Sequence, residues 1–145
     1  MGKPRYVILA FQTNKQHNIL ADKSTFDHCK VQNVKIFLNN ESYPYIDFNT
    51  SFDQKRFTLA YYLHNQLQVL YYRCDSYPLL SPEMFSRMTP LLVFDTSKQN
   101  ERVVDCRIEI ISKVNIPANT AVYCLILYYR VVSYNCFSGL VNMVS

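Results

Sequence analysis

The chain has 145 residues, a formal net charge of +4, 49% hydrophobic and 14% aromatic residues, and only two glycines. That length fits one domain with a core of its own, and the apolar content excludes a disordered chain. Two glycines, Gly2 and Gly139, leave no glycine-rich phosphate loop, so Walker-type and Rossmann-type nucleotide sites are excluded.

The chain opens on a β-branched and aromatic run, Tyr6–Gln12, which reads as a buried strand. Polar residues over Asn14–Ser24 read as a loop. Lys30–Leu38 reads as a second strand, ended by Asn39-Asn40-Glu41. Ser42–Phe48 holds Pro44, which has no N–H for a ladder, so this stretch reads as an edge strand or extended loop. Asp53–Arg73 lacks Gly and Pro and spaces Phe57, Tyr61, His64, Leu67, Leu70 and Tyr71 at helical intervals. It predicts the one long helix, with Ser51 or Asp53 as its cap. Ser81-Pro82-Glu83 suits the start of a short helix that Pro90 stops.

Pro90–Phe94 then reads as a short strand. Val103–Ile111 alternates, with Val104, Cys106, Ile108 and Ile110 on one face and Asp105, Arg107 and Glu109 on the other. Val114–Thr120 is a loop around Pro117. Ala121–Tyr134 reads as one long strand, apolar on both sides, and so either central to a sheet or covered on both faces. Short strands interrupted by a helix, without βα alternation, predict an antiparallel all-β sandwich over residues 1–145. The abrupt start on a strand looks like a cut from a longer chain.

Chemistry is sparse. Cys29, Cys74, Cys106, Cys124 and Cys136 are odd in number and lack C-x-x-C spacing, so no disulfide framework or zinc site is expected. Cys106 and Cys124, in apolar strand-like runs, read as core residues of a protein kept in a reducing compartment. Asp27, His28 and Cys29 are adjacent, but successive side chains of an extended segment diverge, so a structural turn is the expectation. His17 lies in a polar loop, and His64 is expected partly buried and hydrogen-bonded on the long helix. Asp95, Glu101, Asp105 and Glu109 supply carboxylates, yet Asp105 and Glu109 read as the covering of a wet sheet face. Neither catalytic residues, a cofactor, a metal nor a small-molecule substrate is expected. The longest apolar run, Ala121–Tyr129, is too short to span a membrane. Basic residues scatter without a run, so specific nucleic-acid binding is not expected. Twelve tyrosines point instead to contact surfaces, with Tyr43, Tyr45, Tyr71 and Tyr72 as candidate interface residues.

An ordered series of segments carries a family resemblance. It runs through Pro4–Thr13, Phe26-Asp27-His28-Cys29, Val34–Asn39, Tyr43-Pro44-Tyr45, Ser97–Glu101, Val104–Glu109 and Ala118–Leu127. In this order the segments resemble the double jelly-roll capsid-like domains of Polinton/Maverick elements and adintovirus-type major capsid proteins, with copies in insect and other animal genomes. The resemblance spans Pro4 to Asn135, with departures at Phe52–Tyr72 and at Tyr128-Tyr129-Arg130. It implies the C-terminal jelly roll of a two-roll chain, a homotrimer that meets other capsid subunits in pseudo-hexameric capsomers, and a place in the virion shell. It brings no catalytic residues. A second expectation is a host-retained sandwich that binds a glycan or peptide without building a shell.

Overall fold

The computed structural model describes residues 3–73, 75, 77–99, 105–129 and 131–144. Eight strands and two helices lie among them, in the order β1 (Pro4–Thr13), β2 (Val31–Leu38), β3 (Glu41–Tyr43), α1 (Thr58–Tyr72), α2 (Pro82–Met88), β4 (Leu92–Asp95), β5 (Cys106–Ser112), β6 (Thr120–Tyr128), β7 (Val131–Tyr134) and β8 (Val141–Val144). Every pairing is antiparallel. One sheet runs β4-β1-β6, a second runs β3-β2-β5, and β7 and β8 form a separate hairpin. The chain is an all-β jelly-roll-type sandwich with two helices.

The core follows from the period of two along β1 and β2. Val7, Leu9 and Phe11 of β1 face inward with Leu92 and Phe94 of β4, and meet Val34, Ile36 and Leu38 of β2. Phe48, just after β3, stands edge-on to Phe94 at 5.3 Å and ties the second sheet to the first. The opposite face of the first sheet carries Tyr6, Ile8 and Val93, and Leu63 and Leu67 of α1 cover it. β1 is therefore buried on both faces, as its unbroken apolar run requires.

Five expectations are corrected. The long helix starts at Thr58 rather than Asp53, because Ser51 and Arg56 exchange backbone hydrogen bonds of 2.7 and 2.9 Å and close the preceding segment into a tight turn. Lys55 sits in that turn at φ 56°, outside helical backbone. Its N-cap is accordingly Phe57, not Ser51 or Asp53, and no side chain caps it. Ala121–Tyr134 is not one strand: β6 ends at Tyr128 and β7 begins at Val131. Among the described residues β6 is also an edge strand, paired with β1 on one side, rather than a central or doubly covered one. Finally, Cys106 and Cys124 are exposed, not core. Cys74, Glu101, Val103, Val104 and Arg130 lie outside the described residues.

The short helix matches its sequence signals. Ser81 Oγ accepts from Met84 N at 3.2 Å, Pro82 opens the first turn, and Arg87 pairs with Glu83 at 3.5 Å. β3 ends at Tyr43, is an edge of its sheet, and runs into a cis Tyr43–Pro44 peptide.

Candidate functional site

The Asp27-His28-Cys29 cluster builds a turn. Asp27 Oδ2 accepts from Thr13 N at 2.9 Å and pairs with Lys15 Nζ at 3.4 Å. His28 Nδ1 accepts from Lys30 N at 3.0 Å, and its ring stacks on Phe52 at 4.6 Å. Cys29 and Lys30 both have positive φ, which reverses the chain into β2. Burial pushes the Cys29 thiol pKa up and, as the leading cause, pulls the His28 pKa down. A thiol held in its neutral form is the opposite of an activated nucleophile.

His64 lies buried on α1 against Phe85, 5.2 Å between ring centres, and its Nδ1 has no hydrogen-bond partner. Burial lowers its pKa. The burial expected at this histidine is present, and the Asn65 side chain hydrogen-bonds to it and opposes the shift. Asp95 Oδ1 accepts from Ser97 N at 2.9 Å and closes the turn after β4. Arg107 and Glu109 are exposed on the outer face of β5, with the Arg107 guanidinium 4.3 Å from the Phe37 ring centre. Among the described residues no group of three or more His, Cys, Asp or Glu gathers as a metal site would. No described helix is long and apolar enough to cross a membrane.

The four candidate tyrosines separate into two places. Tyr43 is 2% exposed, and its hydroxyl donates to Gln99 Oε1 at 3.1 Å. It is a core residue, because the inward face of β3 carries it under the loop that follows β4. Its neighbour Tyr45 is exposed, 5.6 Å from it, and its hydroxyl reaches Glu41 Oε2 at 3.4 Å. Tyr71 and Tyr72 end α1, both exposed, with ring centres 5.0 Å apart. Tyr71 stands edge-on to Tyr6 at 6.0 Å, and Arg5 lies over Tyr129 at 4.2 Å. The sequence reading missed Arg5, Tyr6 and Tyr129 as members of this cluster; the adjacent Tyr128 and Tyr129 were its only local signal.

One side of the sandwich is open. Tyr43 with Gln99, and Phe48 with Phe94, place the β3 edge over the β4 edge. β5 and β6 therefore form the opposite side, and the Cys106 and Cys124 thiols there are near enough for Cys106 to raise the Cys124 pKa, after burial. The inward faces do not close on each other. Ile108 and Ile110 of β5 are only partly buried, and Val122 of β6, paired with core Phe11, is 45% exposed. On the outer face, beyond α1, Leu125 is 56% exposed. Among the described residues neither β5 nor β6 has a strand on its outer edge. Separately, the β7–β8 hairpin exposes Val131, Val132, Tyr134, Val141 and Met143 and turns through Asn135 and Gly139. Scattered apolar side chains need no explanation, but two bare strand edges with an apolar interior between them do.

Comparison with curated proteins gives no match, and neither does comparison with solved structures. A family model described as the double jelly roll-like domain matches residues 1–132, most of the chain and all of the two three-stranded sheets. The two antiparallel sheets packed face to face agree with it, and the chain belongs to the double jelly roll-like domain family.

Proposed function

We propose that this protein is a structural subunit of the major-capsid-protein kind, which associates with itself as a homotrimer and builds pseudo-hexameric capsomers of a shell. It carries out no reaction in this reading: its work is geometric, as a rigid brick whose sides meet other jelly rolls. The observation that carries the proposal is the open β5–β6 side, where the sandwich interior reaches the surface at Val122, Ile108 and Ile110. Covering such a side with a neighbouring roll removes apolar area from water at about 25 cal/mol per Å² and gives both free strand edges a partner. Family membership supports the same reading, since the matched domain is jelly-roll in kind. Lineage from Polinton/Maverick elements and residence in a virion are part of the proposal.

Sedimentation velocity of the 145-residue chain across a concentration series tests it. The expected result is a concentration-dependent species at three times the 17.1 kDa monomer mass. A sharp monomer boundary at every concentration contradicts the self-association.

A further inference from the structure

We propose that Arg5 and the tyrosines around it form a binding cleft for a carboxylate carried on an apolar body. The cleft measures about 520 Å³ and is lined by Arg5, Tyr71, Ile126, Leu127, Tyr128 and Tyr129. It lies where the start of β1, the end of β6 and the end of α1 come together.

Three independent observations support this. First, Arg5 is the extra residue of a β-bulge: Pro4 pairs with Tyr128 and Tyr6 with Leu127, so Arg5 has no opposite number on β6. Bulges recur where a side chain is aimed out of the regular pleat. Second, the guanidinium is held in place by aromatic faces, 4.2 Å from the Tyr129 ring centre and 5.5 Å from that of Tyr6. Such stacking fixes the orientation of the fork without using its hydrogen-bond donors. Third, Arg5 Nε is buried and donates to no acceptor. Among the described residues no carboxylate forms an ion pair with Arg5. A buried, unmet N–H on a charged group is costly and rare, and it marks a place where a partner belongs.

The lining selects the ligand. Arg5 is the one cation in the described lining, and its single charge suits a monoanion. A planar carboxylate fits the guanidinium edge in a bidentate pair. Ile126, Leu127 and the tyrosine rings suit an apolar or aromatic body next to that carboxylate. An acidic side chain on a neighbouring polypeptide and a free small acid share this chemistry.

The test follows the Nε–Hε proton–nitrogen resonance of Arg5 in the 145-residue chain. Four probes are added separately: N-acetylphenylalanine, its neutral amide, the blocked dipeptide N-acetyl-glutamyl-phenylalaninamide, and inorganic phosphate. The expected result is a saturable shift with at least one carboxylate probe, at a Kd on the order of 1 mM for one bidentate contact. A stronger response to the blocked dipeptide assigns the site to a polypeptide side chain, and a stronger response to the free acid assigns it to a small molecule. Arg5→Lys keeps the charge but loses the fork, and binding read from the Tyr71 and Tyr129 ring protons is expected to weaken at least about tenfold. An equal shift with the neutral amide, tighter binding of phosphate, or no saturable shift with either carboxylate overturns the proposal. Because the wild-type comparison of acid and amide suffices, the result does not depend on whether Arg5→Lys folds.

Discussion

The hydroxyl of Tyr43 donates to Gln99 Oε1 at 3.1 Å, and both residues are buried. One belongs to the end of β3 and the other to the loop after β4, so this single polar bond joins the two sheets across the closed side of the sandwich. Replacing Tyr43 by Phe leaves the Gln99 carbonyl without its donor in the interior. The expected loss is about 1–3 kcal/mol in urea unfolding with an unchanged slope, the cost of one unmet buried acceptor.

The same tyrosine gives the chain an alkaline limit. Burial, with Tyr45 adding to it, pushes the Tyr43 pKa from 10.0 up to about 12. Between those values the unfolded chain has released a proton that the folded chain still holds, so stability falls as pH rises through that window. Spectrophotometric titration should show one tyrosine ionising last, and Tyr43→Phe should remove it.

Phe85 anchors the two helices to each other. It is fully buried, with ring centres 5.9 Å from Phe57, 5.5 Å from Tyr61 and 5.2 Å from His64. Phe85→Ala opens a cavity under α1 and is expected to cost about 3–5 kcal/mol by denaturant unfolding.

His28 and His64 set the acidic side of the profile. Burial lowers both below the ordinary value of 6.5. As pH falls below 6.5 the unfolded chain takes up protons that the folded chain resists, so stability is full above that pH and declines below it. Each histidine contributes a slope of at most about 1.4 kcal/mol per pH unit. His64→Gln should flatten the decline of the unfolding midpoint between neutral pH and the onset of carboxylate titration; an unchanged slope assigns it to other groups.

Leu125 separates assembly from folding. It is exposed on β6, so Leu125→Lys should change stability by no more than about 0.5 kcal/mol. On the outer face of β6, whose free edge borders the open side, it should weaken self-association by about 2 kcal/mol or more, read as a shift toward monomer in sedimentation. Retained association with an unchanged constant places the contact elsewhere.

The sandwich class, the strand at Tyr6–Gln12, the cap at Ser81 and the structural role of Asp27-His28-Cys29 were all legible, because period, capping chemistry and side-chain divergence are local properties. The exposure of β6 was not. An apolar run reads the same whether neighbours cover it or leave it bare, so Val122 and Leu125 gave no sign of lying at an edge. Tyr43 was misplaced for a related reason: the residue before Pro44 faces inward, and only the distant Gln99 accounts for its hydroxyl. Arg5 gained its place from a bulge that depends on the register with β6, about 120 residues along the chain.

The most direct test of the account is amide hydrogen exchange of the chain at low and high concentration. If the open side is the self-association surface, backbone amides of β5 and β6 gain protection as concentration rises, while those of β4, the edge on the closed side, stay unchanged. Equal exchange of β5 and β6 at both concentrations, in samples shown to associate, contradicts it.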